Sequence, residues 1–298
     1  MNYDLLEFRP EHLQAVAALL ESPAFYPINT VKAIRFRTFD DASYQPSLSL
    51  IASVADRVVG FCLASVRGDL GVIALFAVAP EYRRQGIATA LFDEVERRLA
   101  TQDIATLAVE GVAPRWFFPG VELTHTPAIA FLIQRGYDTN RAARIDMRVE
   151  LARADLDSAD TANALAAQGI VLTRATADQV SAAAAFAGEH FSDHWSQEVG
   201  DASWFTGPPL HIALDGDRVV AFAAYDVSGP GRFGPTGTQP EYRHRGIGSA
   251  LMRACLRDIR DRGDAIAEIC WVGPIGYYAR VLDARIHRAY WCFRKPIA

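Results

Sequence analysis

Lysine is nearly missing: Lys32 and Lys295 are the only two in 298 residues, so almost all positive charge is arginine. A surplus of positive charge is missing too. Thirty Lys+Arg against 35 Asp+Glu leave a formal net charge of -5 at pH 7, which gives no basic footprint and argues against nucleic acid as a partner. Paired cysteines are absent. Cys62, Cys255, Cys270 and Cys292 stand alone in apolar runs, with no CxxC, so they are expected as buried free thiols of a reducing cytoplasm. No apolar run approaches the ~20 residues that span a bilayer, and the opening MNYDLLEFRPEH is acidic and mixed, unlike a secretory signal. These absences predict a cytoplasmic protein with no membrane partner. What is present is ordinary: 50% hydrophobic and 22% charged residues, in a chain long enough for two domains that each bury a core.

The chain repeats itself. Pro80-Glu81-Tyr82-Arg83-Arg84-Gln85-Gly86-Ile87-Ala88-Thr89-Ala90-Leu91 returns 160 residues later as Pro240-Glu241-Tyr242-Arg243-His244-Arg245-Gly246-Ile247-Gly248-Ser249-Ala250-Leu251, with eight of twelve positions identical and no gap. The surroundings repeat as well. In the first half, Leu48–Ala55, Val58–Val66 and Gly71–Val78 read as strands separated by polar turns. Ile87–Leu99 has the apolar spacing of a helix, and Ala105–Val109 is a short strand. The second half repeats this with Leu210–Leu214, Arg218–Val227, Arg232–Thr238, the helix Ile247–Ile259 and the strand Ala265–Val272. Each half opens with a short strand and a helical region, Leu5–Phe8 then His12–Leu20, and Val171–Thr173 then Ala177–Ala187. Residues 153–168 are rich in Ala and Asp and read as a partly helical linker. The expected division is therefore 1–152, linker 153–168, and 169–298.

A strand that runs through Arg-x-x-Gly-x-Gly/Ala straight into a helix suits an anion. The first helical turn leaves N–H groups unpaired, and the macrodipole places about half a positive charge there. Close approach of a pyrophosphate forbids bulky side chains, which Gly86 and Ala88, and Gly246 and Gly248, satisfy. Arg83, Arg84, Arg243, His244 and Arg245 add positive character. The bland alternative is a glycine turn that merely starts a helix. Rossmann and P-loop readings fail on spacing, since neither copy is GxGxxG and no GKS or GKT follows.

Strand–PEYRRQGIATAL–helix–strand resembles the acetyl-CoA loop of the GNAT N-acetyltransferase superfamily, and the resemblance covers both halves. It implies an α/β fold of two tandem domains, each a central, mostly antiparallel mixed sheet flanked by helices. It implies acetyl-CoA as cofactor, with the pyrophosphate on the loop N–H groups of Arg83–Thr89 and Arg243–Ser249. Pantetheine would lie along the preceding strands, Leu75–Val78 and Gly234–Thr238. The implied reaction is acetyl transfer to the amine of a small-molecule acceptor, by a monomer or homodimer.

The superfamily commonly supplies a tyrosine on the helix after the fifth strand, to protonate the departing thiolate. In the second half Gly276-Tyr277-Tyr278-Ala279-Arg280 falls there. Tyr278 matches the family position, although one extra residue before the next turn keeps Tyr277 open. The first half offers Phe131 or Leu132, neither of which donates a proton. Chemistry is thus expected in the second half, with a first half that binds cofactor, or once did. No base stands out. Glu110 is the only carboxylate at a plausible place in the first half, and RFGPTGT of the second has none, so a water relay is expected. Gly234 and Gly237 suggest a bulge that opens a gap between strands. His190 and His194 share a helix spacing that metal ligands use, but no further ligand cluster accompanies them and no metal is expected; an ordinary solvated face is the main reading, with an acceptor contact or a base role as the alternative. Trp116-Phe117-Phe118-Pro119-Gly120-Val121 reads as a packed loop or an interdomain contact rather than a binding box. The rival function is a non-catalytic acetyl-CoA sensor.

Overall fold

A computed structural model describes residues 2–20 and 31–297. The first half of the chain forms β1 (Asp4–Glu7), α1 (Leu13–Leu19), α2 (Val31–Arg37), β2 (Leu50–Val54), β3 (Arg57–Arg67), β4 (Leu70–Val78), α3 (Ile87–Leu99), β5 (Thr106–Val109), β6 (Val121–Glu122) and α4 (Thr126–Gln134). Then come β7 (Arg144–Glu150), α5 (Ala159–Ala166), β8 (Ile170–Arg174), α6 (Gln179–His190), α7 (Asp193–Gly200), β9 (Leu210–Asp215), β10 (Arg218–Tyr225) and β11 (Arg232–Thr238). The chain closes with α8 (Ile247–Asp261), β12 (Ile266–Ile269), α9 (Ile275–Leu282), β13 (Arg285–Trp291) and β14 (Phe293–Pro296).

Two compact units result, and they do not follow the division read from the sequence. Unit 1 is Met1–Arg144 with Ala289–Ala298, and unit 2 is Ile145–Arg288. Strand pairing explains the difference. The chain's last strand, β14, pairs antiparallel with β5, from Phe293↔Val109 to Pro296↔Thr106. β7, at the end of the first half, pairs antiparallel with β12, from Met147↔Ile269 to Glu150↔Ile266. Each unit thus completes its sheet with a strand from the other half of the sequence. The 153–168 stretch contains α5, and Leu165 of this helix is buried in the core of unit 2.

Within unit 1 the strand order is β1-β2-β3-β4-β5-β14, and within unit 2 the run β8-β9-β10-β11-β12-β7 is its counterpart. Tight turns set the hairpins: Val54 faces Arg57 across Ala55-Asp56, both at positive φ, and Asp215 faces Arg218 across Gly216-Asp217. Such turns match the twist of paired strands. One helix in each unit lays an apolar stripe on its sheet. From α3 this is Ile87, Leu91, Phe92, Val95 and Leu99; from α8 it is Ile247, Leu251, Cys255 and Ile259. Each of these large side chains, fully buried, contributes about 1.5–3 kcal/mol.

One pairing in each sheet is cut short. β4 and β5 run parallel only over Leu70–Val72 against Thr106–Ala108. β11 and β12 run parallel only through Arg232↔Glu268 and Phe233↔Ile269. Beyond those residues no ladder pairing joins the two strands among the described residues, leaving a wedge along one side of β4 and of β11. The register also shifts nearby, between Leu63 and Ala64 against β4 and between Ala223 and Tyr225 against β11. In β11 the irregular residues are Gly234 and Pro235, with Gly234 at φ +120°, where glycine is at ease. Gly237 is not part of the bulge: it pairs regularly with Phe222.

Candidate functional site

The repeated loops fold alike almost dihedral for dihedral. Arg83 and Arg243 are extended, at φ -69° and -68°. Arg84 and His244 are left-handed at φ 61° and 62°, and Gly86 and Gly246 both stand at φ 83°. Each glycine is the N-cap of its helix and offers no side-chain cap. The first-turn N–H groups of Ile87–Thr89 and Ile247–Ser249 therefore face outward with the positive end of the helix dipole. This is the geometry an anion needs.

The arginines do more than add charge. Arg83 Nε donates to the Val78 carbonyl at 2.9 Å, and Arg243 Nε to the Thr238 carbonyl at 3.0 Å, so each ties the loop back to the end of its strand. Thr238 also explains Gly248, because a Cβ there would lie 3.2 Å from the threonine Oγ1. At the equivalent places of the first loop stand Val78 and Ala88.

The loops differ in what surrounds them. A Cβ on Gly86 would meet nothing within 4 Å, whereas one on Gly246 would lie 2.9 Å from Cγ2 of Thr161 on α5. Gln85 bonds its own loop, Nε2 to the Glu81 carbonyl at 3.2 Å. Arg245 instead donates to Gln168 Oε1 at 2.6 Å and lies over the Tyr242 ring. Beside it a cleft of about 480 Å³ is lined by Arg218, Tyr242 and Arg245, with Gln168, Asp215 and Glu241 among its other walls.

Tyr278 lies on α9, with its side chain nearly buried against Phe233 at a ring separation of 6.4 Å and against Tyr277 at 5.1 Å. Phe233 is the last β11 residue paired to β12, so Tyr278 stands where the wedge opens. Burial, with a smaller contribution from Tyr277, pushes its phenol up to about 12, and the hydroxyl keeps its proton at neutral pH. In unit 1, Phe131 packs edge-on against Phe92 at 5.0 Å and Leu132 is fully buried. Tyr137 donates to Glu96 Oε1 at 3.1 Å, so it is held in a buried network.

Other sequence candidates fall in different places. Glu110 is buried and held by Arg294, whose Nη2 lies 2.7 Å from Oε1, with Arg144 at 3.7 Å. It is therefore a structural ion pair in unit 1. His190 packs on Phe186 at 4.7 Å, and His194 is exposed. Phe118 belongs to a loop folded tightly onto the end of β5, since a Cβ on Gly111 would strike its carbonyl. Gly237 makes room for Phe191, whose ring a Cβ would approach to 2.5 Å. The corner between α6 and α7 thus lies directly on β11, on the face opposite α8.

A buried charge cluster in unit 2 went unread in the sequence. Arg232 and Glu268 are each 1% exposed and 3.5 Å apart, with Arg288 3.9 Å from the same carboxylate. Asp146, Glu268 and Cys270 are the one group of potential metal ligands among the described residues, but the two guanidiniums already balance its two carboxylates. The available signal was one glutamate in the apolar strand AIAEICWV.

Two family models match the chain. "Acetyltransferase (GNAT) family" covers residues 13–137 and "GCN5-related N-acetyl-transferase" covers 210–273, one in each unit. The chain is a tandem GNAT acetyltransferase. It is similar to the mycothiol acetyltransferase of Clavibacter sepedonicus, at 27% identity over 73% of this chain and 69% of that one. Among solved structures, a tandem GNAT protein from the clavulanic acid biosynthesis pathway aligns over 99% of this chain and 98% of its own, with TM-score 0.69 and 15% identity. The glucosamine N-acetyltransferase region of a fungal multi-domain β-N-acetylglucosaminidase aligns at TM-score 0.76 and 19% identity, over 99% of this chain and 38% of that protein. At these identities the structural likeness shows the fold of the tandem GNAT protein. No helix among the described residues is long and apolar enough to cross a membrane.

Proposed function

We propose that this tandem GNAT protein transfers the acetyl group of acetyl-CoA to the amine of a small molecule, with the chemistry in unit 2. The observation behind this reading is Tyr278, a protonated phenol at the mouth of the β11–β12 wedge, in the same unit as the uncapped loop of α8. Acetyl-CoA supplies an activated acetyl group as a thioester. The loop N–H groups of Gly246–Ser249 hold its pyrophosphate, and the unpaired edge of β11 orients the pantetheine arm. Tyr278 gives its proton to the sulfur as the C–S bond breaks; a leaving thiolate of pKa ~8.5 needs one. Arg218 and Arg245 in the neighbouring cleft favour the anionic nucleotide end.

Unit 1 binds acetyl-CoA without turning it over. Its loop keeps the same backbone and is unobstructed, while Phe131 and Leu132 put hydrocarbon where a proton donor is needed. The test is thiol release from acetyl-CoA with a panel of amines, including glucosamine, an aminoacyl amide and a polyamine. Wild type is expected to turn over a member of the panel and Tyr278→Phe to lose about 100-fold in kcat, with two CoA bound per chain in both. Binding of CoA with no turnover of any amine by the wild type refutes the enzyme reading in favour of a sensor.

A further inference from the structure

β12 carries a single carboxylate. Its neighbour Ile269 belongs to the core beneath α8 and α9, so Glu268 points to the opposite face of the sheet. That is the face where Phe191 lies against Gly237, away from the cofactor loop. Along the strand, Glu268 sits one residue before Ile269, the last residue paired to β11 before the wedge opens. It is 1% exposed, and neither of its oxygens has a hydrogen-bond donor among the described residues. Two guanidiniums and an imidazole surround it without closing on it: Arg232 Nε at 3.5 Å, His287 Nε2 at 3.9 Å and Arg288 Nε at 3.9 Å. A buried carboxylate lacking donors is costly unless something supplies them.

We propose that Glu268 is the base that receives the acceptor amine and takes its proton, in place of a water relay. The assignment rests on the reading that unit 2 is the acetyl-transferring unit. Glu268 removes one proton from the ammonium, and the freed lone pair forms the C–N bond as the C–S bond breaks and its electron pair leaves on sulfur. Tyr278 protonates that sulfur. The nitrogen then loses its second proton. Of the two protons taken from nitrogen, one restores Tyr278 and the other passes through Glu268 to solvent. The groups that set this carboxyl's titration are Arg232 of β11, Asp146 of β7, and His287 and Arg288 of β13. Burial and Asp146 raise it, and Arg232, Arg288 and His287 oppose them, leaving it above the usual carboxylate range.

The test is the pH profile of kcat/KM for the best amine of the panel, in wild type, Glu268→Gln, Glu268→Asp and Tyr278→Phe. Wild type is expected to level off above the titration of Glu268. With an alkylamine of pKa ~10.4 as acceptor, Glu268→Gln must wait for the ~0.04% that is neutral at pH 7, so its kcat/KM is expected to climb tenfold per pH unit up to the amine's own pKa, from a value about 100-fold or more below wild type. Glu268→Asp preserves the charge beside Arg232 and Arg288 and draws the carboxylate back by one methylene. It is expected to fold with unchanged CoA affinity, keep the plateau and lose about tenfold in rate. A Glu268→Gln enzyme that keeps the wild-type plateau, or a Glu268→Asp enzyme at full rate, overturns the assignment while a Tyr278→Phe loss leaves the unit 2 reading standing. No transfer by the wild type to any amine removes both.

Discussion

The two N-cap glycines stand at the same φ in different surroundings, and that difference can be measured. Alanine at either position must adopt φ 83°, which costs a non-glycine residue about 1–2 kcal/mol. At Gly86 nothing else is added, because no atom of the described residues lies within 4 Å of the new methyl. At Gly246 the methyl would lie 2.9 Å from Thr161 Cγ2, so α5 must shift or α8 must yield, adding about 1–3 kcal/mol of overpacking. Gly246→Ala is therefore expected to destabilise unit 2 by about 2–5 kcal/mol, and Gly86→Ala to destabilise unit 1 by about 1–2. Thr161→Ser removes the offending Cγ2 while keeping the hydroxyl. In the Gly246→Ala background it should recover about 1 kcal/mol or more, a coupling that a double-mutant cycle isolates. Urea unfolding followed by fluorescence, with CoA titration to confirm a folded loop, gives the quantities. Equal losses at the two glycines with zero coupling to Thr161 would refute the claim that α5 presses on the second loop.

Further expectations follow from particular contacts. Gly237→Ala should cost about 1–3 kcal/mol because its methyl strikes Phe191, and Phe191→Leu should relieve part of that loss in a urea titration. Gly86→Val should remove one of the two bound CoA equivalents in calorimetry, since a branched side chain at the loop excludes the pyrophosphate; two full-affinity sites in that variant would count against the first loop. The Tyr278 phenol titrates near 12 in the folded protein, raised from 10.0. Its contribution to stability is thus complete below pH 10 and is lost as pH rises toward 12, a loss that Tyr278→Phe should abolish in alkaline unfolding curves. Glu94 has the opposite sign: hydrogen bonds from Arg97 and Arg98 lower it to about 2 from 4.5. Its contribution is present at neutral pH and fades as pH falls toward 2, so Glu94→Gln and wild type should converge in stability at the acid end.

Much of this protein is written locally. The duplicated PEYR–G–I segment determines a strand, a loop with a left-handed glycine and a helix, because backbone conformation there depends on residues within a few positions of one another. The same locality made the hairpin turns and the amphipathic α3 and α8 legible, whereas Tyr278 was pointed to by the family resemblance alone, with Tyr277 left open beside it. The tertiary structure decided what sequence distance hides. Nothing local tells β14 to pair with β5 or β7 with β12; those registers depend on which sheet edge is left unpaired once the rest has folded. Gly237 looked like a bulge residue, and only the placement of Phe191 shows that its missing side chain makes room for an aromatic ring. Arg232, Glu268, Asp146 and Arg288 come from four separate strands, and only Glu268 stands as a lone charge in an apolar run. Their meaning as one buried cluster exists only once the sheet has brought them together.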